Sequence, residues 1–219
     1  TGCTVHWADA GVDTGPIIAQ EAVAVLQCPS DTASGRVAGS TFGATNYAAN
    51  AGSGTVNAGS LTNADGVFFL GSKVGFRQLV DGSSHTAAFG ERMLGTGQAN
   101  PSGDLEPLYI LELQNTFAVG DTDCGSPSSG GWYSQRGAKW ILGNYGNTVY
   151  NHYYAPNAPK WDCMNLPQQK ALMTARSYHF GGVNQGFCDG SVRFIDNQIE
   201  LKVWRAYSTR DGAESLDGG

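Results

Sequence analysis

The chain has 219 residues, 31 of them glycine, with 11% aromatics, only 15% charged residues and a net charge of −6. That length supports one domain with a sizeable core or two small ones, and the composition describes a turn-rich, β-rich globular protein without long charged helices. The acidic balance and the scatter of the 13 basic residues exclude nucleic acid as the main partner, because phosphate binding needs a basic face. No apolar run approaches the roughly 20 residues of a membrane span. There is no secretory signal peptide either, so a secreted protein with this sequence is expected to have lost its targeting segment. Five cysteines permit two disulfides and one free thiol in an oxidising compartment, or else a set of reduced, buried thiols. None has close Cys-x-x-Cys spacing, so no metal-thiolate site is expected.

Residues 1–26 stand apart. Thr1-Gly-Cys-Thr-Val-His6, and Val12-Asp-Thr-Gly-Pro-Ile-Ile-Ala-Gln20 after it, resemble a segment of glycinamide ribonucleotide formyltransferases. The resemblance puts His6 and Asp13 at active-site positions of those enzymes and implies formyl transfer as a remote function. The rest of such an enzyme has no counterpart in the chain. A segment of about 25 residues is too short to bury the surface of a Rossmann-like domain. It reads instead as two strands and a loop docked on a main domain at 27–219.

From Asp31 to Ser60, small and polar residues predict irregular backbone folded over a sheet, anchored by Phe42 and Tyr47. Gly66–Phe69 and Gly75–Val80 read as strands beside Asp-Gly punctuation. Ser83–Gly90 reads as a capped turn that re-enters the sheet. Leu108–Gln114 alternates only moderately, and periodicity leaves strand and helix both open.

Residues 120–165 read as a long aromatic insertion. Cys124 and Cys163 bracket its core and are expected to pair. A link closing a loop of about 40 residues contributes roughly 3 to 4 kcal/mol. Exposed aromatic faces stack on sugar rings, so Trp132, Trp140, Tyr153 and Trp161 are candidate carbohydrate ligands. The competing reading makes them a satellite core beneath the loop.

Near the C-terminus, Ser177-Tyr-His-Phe-Gly-Gly-Val-Asn-Gln-Gly-Phe-Cys-Asp-Gly-Ser-Val-Arg-Phe-Ile-Asp196 reads as a β-hairpin. Asp189-Gly190 suits a two-residue type I′ turn, whose positive φ angles glycine accepts. That turn sets Phe187 opposite Val192 and Gln185 opposite Phe194, with Val183, Phe187, Val192 and Phe194 sharing a core-facing side. Asp196 or Asn197 then caps a short helix whose stripe is Ile199 and Val203. The spacing of His179, nine residues and Asp189-Gly190 resembles a bacterial family of prepilin-like surface proteins named for that H-x9-DG signature. Cys28-Pro-Ser-Asp31, Thr45-Asn-Tyr-Ala48, Asp65-Gly-Val-Phe-Phe69 and Asp81-Gly-Ser-Ser-His-Thr86 followed by Glu91 are similar to the family's landmarks, in its order. The family has no established molecular function. The resemblance covers about residues 25–213 and implies an α+β, β-rich fold: a pilin-like antiparallel sheet with long loop insertions. The family's Gly-Phe-Thr-Leu-x-Glu motif and apolar stem helix do not occur in the sequence, so the stem is expected to be missing. The landmarks also suggest Cys28–Cys188 as a second disulfide, leaving Cys3 over.

His179 and Asp189 invite an acid–base or metal reading, but a strand rise of about 3.3 Å per residue separates them by roughly 20 Å. Both therefore read as structural, together with Gly190. Repeated Asp-Gly steps at Asp65, Asp81, Asp189 and Asp211 raise calcium, with Asp65, Asp81 and Asp189 as ligands. The spacing lacks the Asp-x-Asp-x-Asp-Gly pattern of a dedicated loop. Gly52-Ser53-Gly54 only approaches a nucleophile elbow, and no enzyme signature is present. The expected function is a non-catalytic subunit of an extracellular pilus-like filament or surface assembly that associates with itself. The alternative is a surface module that binds polysaccharide through the aromatic insertion.

Overall fold

A computed structural model describes residues 18–33, 35–99, 108–115 and 119–212. The fold is α+β and β-rich, with two sheets and, among the described residues, one short α-helix. Strands β1 (Tyr47–Asn50), β2 (Ala87–Glu91), β5 (Val149–Tyr150), β8 (Gly182–Phe187) and β9 (Val192–Asp196) form a five-stranded sheet in the order β5-β1-β2-β8-β9. Strands β3 (Ile110–Leu113), β4 (Gly130–Tyr133), β6 (Asp162–Asn165) and β7 (Ala171–Leu172) form a second sheet in the order β4-β3-β6-β7. A single antiparallel sheet was the expectation. Each sheet instead contains one parallel pair, β1 with β5 and β3 with β6.

Helix α1 (Leu201–Ala206) follows β9 after a turn in which Asp196 Oδ1 accepts the Gln198 amide at 2.7 Å. Neither Asp196 nor Asn197 caps the helix; Glu200 precedes it, without a side-chain cap. Trp204 is the helix's anchor. It lies fully buried with Ala48, Tyr150, Ala175, Val183, Phe187 and Ile195, and Ile199 packs against this group. The His152 ring stacks on Trp204 at 3.5 Å and 6°, and its Nδ1–H donates to the Trp204 carbonyl at 2.6 Å. Gly90 in β2 lets the Tyr150 ring close over the strand, since a Cβ there would lie 2.5 Å from the hydroxyl.

The hairpin is present, but its register differs by one residue from the two-residue turn. Gly186 pairs with Val192, Asn184 with Phe194 and Val183 with Ile195. The loop is Cys188-Asp189-Gly190: Phe187 bonds Ser191 across it, and Gly190 takes the left-handed conformation at φ 84°. Such three-residue loops combine a type I turn with a left-handed glycine, and Asp-Gly serves them equally well. Side chains alternate with a period of two, so the shift turns β9 over. Ile195 (8% exposed) now faces the core, while Val192 (69%) and Phe194 (53%) face outward.

Several local expectations changed for similar reasons. Tyr47–Asn50, within the stretch read as irregular, is a strand near the middle of the sheet; Ala48 and Asn50 are small enough to bury there. Gly66–Phe69 is not a strand, although its Gly66 and Phe68 amides bond Ala51 and Asn50. Gly75–Val80 contains a 3-10 turn at Phe76–Gln78. Leu108–Gln114 resolves as β3, which is buried on both sides: Ile110 joins the cluster between the sheets, while Leu111 and Leu113 join the opposite cluster. A strand covered on both faces loses the alternation that would reveal it.

The aromatic stretch at 120–165 is more than a decorating loop. It supplies β4 and β6 to the second sheet and β5 to the first. Cys124 and Cys163 are joined, with Cα atoms 5.7 Å apart. Of the N-terminal segment, residues 18–26 are described and form two 3-10 turns at Ile18–Gln20 and Ala24–Leu26, not a strand. They dock through Ala19 O and Leu26 O, which accept the Gly43 and Asn46 amides. Cys3, His6 and Asp13 lie outside the described residues.

Candidate functional site

The outward face of the five-stranded sheet follows directly from the registers. Tyr47 lies opposite Glu91, Ala49 opposite Phe89, Phe89 opposite Gly186, and Asn184 opposite Phe194. Period-two alternation therefore sets Tyr47, Ala49, Phe89, Glu91, Asn184, Val192 and Phe194 on one side. Glu91 is the anomaly there: a carboxylate only 4% exposed. A buried charge needs partners, and three donors reach it. Glu91 Oε2 accepts the Asn184 amide at 2.6 Å, while Oε1 accepts Asn184 Nδ2 at 3.1 Å and His179 Nε2–H at 3.0 Å.

Cys28 completes the group. Its Sγ lies 3.7 Å from His179 Nε2, and one ligand atom each from Cys28, Glu91 and His179 fall within 4.8 Å of one another. The thiol is held by a polar frame: Asn46 Oδ1 accepts the Cys28 amide at 3.0 Å, and Asn46 Nδ2 donates to Asp31 Oδ2 at 2.7 Å and to the Arg92 carbonyl at 3.1 Å. Asp31 Oδ2 also accepts the Leu94 amide at 3.0 Å. Ser177 Oγ accepts the His179 amide at 3.1 Å, which orients the entry to β8. Tyr47 stands beside the group. Burial first, then the nearby Cys28 and Glu91, push its hydroxyl above the ordinary tyrosine range.

Landmarks scattered over 150 residues thus meet in one place. Cys28 and Asp31, Asn46, Glu91 and His179 come from four of the sequence segments singled out above. Chemically the group offers a thiol, an imidazole and a pinned carboxylate at a partly open surface. The expectation of no metal-thiolate site rested on spacing along the sequence, whereas these three residues approach only in space. His179 is not paired with Asp189. The aspartate sits at the hairpin tip, where its Oδ1 accepts the Ser191 amide at 2.9 Å and hydroxyl at 2.6 Å. Those bonds hold the Asp189 carboxyl below its usual range. Gly190 completes the tip.

The suggested Cys28–Cys188 bridge does not form; both thiols are free. Cys28 is held at the Asn46 frame beside His179, whereas the Cys188 amide donates to Thr86 O within the hairpin loop. The three proposed calcium ligands also remain apart. Asp65 accepts from the Ser53 amide and hydroxyl, Asp81 from Thr209 Oγ1 and the Gly212 amide, and Asp189 from Ser191. Each carboxylate organises its own loop, as expected of turn-forming aspartates. Among the described residues, the grouping of three potential metal ligands is Cys28, Glu91 and His179.

The four aromatic candidates divide. Trp132, Tyr153 and Trp161 pack partly buried against the cluster around Cys124 and Cys163. Trp132 and Trp161 meet edge to face, Trp161 Nε1–H donates to the Cys124 carbonyl, and the Tyr153 hydroxyl donates to Asp121. Trp140 lies elsewhere: its Nε1–H donates to Glu21 O, and it lines a hollow of about 480 Å³ with Tyr47, Phe68 and Phe89. The structure does not bring the four into one surface.

Two buried charge networks escaped the sequence reading. Asp162 in β6 is fully buried between Arg136 and Arg176. It bonds Arg136 Nη1 through Oδ2, and Arg176 Nη2 reaches its Oδ1 at 2.9 Å. The two guanidinium groups overcome the opposing effect of burial and hold the Asp162 carboxyl below its usual range. Arg92, next to Glu91, donates to the carbonyls of Tyr145, Asn147 and Val149. Burial first, then the like charge of Arg136, lowers Arg92 to about 9. The sequence signal available for the candidate site was the co-occurrence of Cys28, Glu91 and His179 in separate landmarks. Nothing local marked Asp162.

No curated protein and no solved structure matches the chain. A family described as a protein of unknown function (DUF1559, with the model label SBP_bac_10) matches residues 4–202. The match runs through all five segments that carry the landmarks and covers most of the 219 residues, so the chain belongs to that family.

Proposed function

We propose that this protein is a non-catalytic subunit of an extracellular pilus-like filament or surface assembly, built by self-association. The observation that carries the reading is the outward face of the five-stranded sheet. Phe89, Val192 and Phe194 project there unburied, with Phe180 fully exposed just before β8. Large apolar side chains grouped on one exposed face are what a subunit contact buries. Among the described residues, strand β9 also ends the sheet, with β8 as its one strand partner, and an edge strand is open to pairing with another chain. The Cys124–Cys163 disulfide supports an oxidising, extracellular setting.

The aromatic residues of the 120–165 stretch contribute less to a docking surface than their number suggests, since three pack on an internal cluster. A polysaccharide-binding role therefore takes second place. The test is electron microscopy of native material from the cell surface, beside a Phe194→Asp variant. Ordered filaments or arrays that disappear in the variant, with thermal stability kept, support the reading. Dispersed monomers in both samples overturn it.

A further inference from the structure

We propose that Cys28, Glu91 and His179 form a binding site for a divalent transition-metal ion of the zinc class, a site independent of the assembly reading above. The set combines one thiolate, one imidazole and one carboxylate, the three side-chain types that zinc takes. Sequence distance argues against chance stacking of neighbours, because Cys28 and His179 are 151 residues apart and Glu91 is 88 from His179.

Two of the three ligand separations are close to those the ion sets. With Zn–S of about 2.3 Å and Zn–N and Zn–O of about 2.0 to 2.1 Å, a tetrahedral site has S···N edges of ~3.6 Å and N···O edges of ~3.3 Å. The corresponding separations here are 3.7 Å for Cys28 Sγ to His179 Nε2 and 3.0 Å for His179 Nε2 to Glu91 Oε1. The three ligand atoms all lie within 4.8 Å of one another, and side-chain rotation at Cys28 and His179 is what would close them onto one ion. The carboxylate is already oriented by the Asn184 amide and Nδ2, and the Cys28 backbone by Asn46. Outer partners of this kind fix the ligands in ordinary metal sites. The His179 side chain is 28% exposed against 4% for Glu91, so the group has an entrance from solvent. Three protein ligands leave a fourth position for water.

On binding, the metal replaces the Nε2 proton that His179 shares with Glu91. The ring then carries its one remaining proton on Nδ1, and any other proton displaced from the ring or from the Cys28 thiol is released to solvent. The ion thus takes over the links between three chain segments that hydrogen bonds otherwise make.

Cobalt(II) added to the reduced full chain is the direct test, because a thiolate ligand produces a charge-transfer band and tetrahedral geometry strong visible bands. The expected result is one equivalent bound, with both features, and displacement by zinc. Cys28→Ser abolishes the charge-transfer band while Cys188→Ser leaves it unchanged, and His179→Gln weakens binding by about a hundredfold or more. Wild-type protein that gives no band overturns the proposal regardless of how any variant folds. A band that persists undiminished in a folded Cys28→Ser variant overturns it too. The titration is done on dispersed protein, so its outcome and that of the microscopy are separable.

Discussion

Each sheet carries a buried carboxylate that ties distant chain segments to it, and the two do so in opposite ways. Asp162 in the second sheet is closed: two guanidinium groups occupy both oxygens, and the arginines spend their remaining donors on the carbonyls of Leu108, Tyr109, Ala158 and Lys160. Glu91 in the first sheet is half open. Asn184 reaches both oxygens, and one of them is shared with an imidazole that has a thiol beside it at a solvent entrance. The same functional group is a rivet in one sheet and a candidate ligand in the other. What differs is who supplies the partner: a permanently charged arginine, or a histidine that can exchange its proton for a metal.

The comparison is sharpest at Asp162. Asp162→Asn leaves two buried guanidinium groups without a counter-charge, and breaking such a pair costs about 3 to 5 kcal/mol. Urea unfolding should show that loss as a lower midpoint. A variant as stable as the parent breaks the view of Asp162 as a rivet.

Acid tests the interior between the first sheet and α1. Burial lowers the His152 ring to about 3, from an ordinary histidine value of 6.5. Between those values the unfolded chain binds a proton that the folded chain refuses, so stability rises with pH across this window. It is fully present above about 6.5 and falls as pH drops toward 3, by up to about 4 kcal/mol. Unfolding midpoints measured from pH 7 to 4 should decline, and His152→Gln should flatten the decline. A flat profile in the parent protein contradicts the sealed environment.

The hairpin supplies the next contrast. Ile195→Ala removes a core side chain and should cost about 2 to 4 kcal/mol, while Phe194→Ala at the exposed neighbour should change stability by under about 0.5 kcal/mol. Equal losses, or the reverse order, restore the two-residue turn and its register. A smaller loss than at Asp162 belongs to Glu91. Glu91→Gln keeps the shape and one acceptor but weakens charge-assisted bonds, an expected loss of about 1 to 2 kcal/mol in thermal unfolding. A cost rivalling that of Asp162→Asn shows that Glu91 too is chiefly a rivet.

Much of this was legible before any fold was in hand, where the information is local. The Asp189-Gly190 turn, the β8–β9 hairpin, the short helix after it and the Cys124–Cys163 bridge all announce themselves over short or bracketed stretches. The turn length did not, because Asp-Gly suits both a two-residue loop and a three-residue loop ending in a left-handed glycine. Strand β1 was hidden since alanine and asparagine carry little β propensity; Ala48 is buried there among Tyr150, Val183 and Trp204.

By itself, the sequence determined a β-rich, turn-punctuated α+β chain, the family to which it belongs and the hairpin that carries its signature. Backbone preferences and short-range spacing suffice for those features. Only the tertiary structure decided which side of β9 is buried, that residues 120–165 build a second sheet, that Asp162 lies between Arg136 and Arg176, and that Cys28 meets His179 instead of Cys188. Each depends on contacts between residues far apart in the chain. The energy of such contacts comes from burial and partner geometry, which no local pattern encodes.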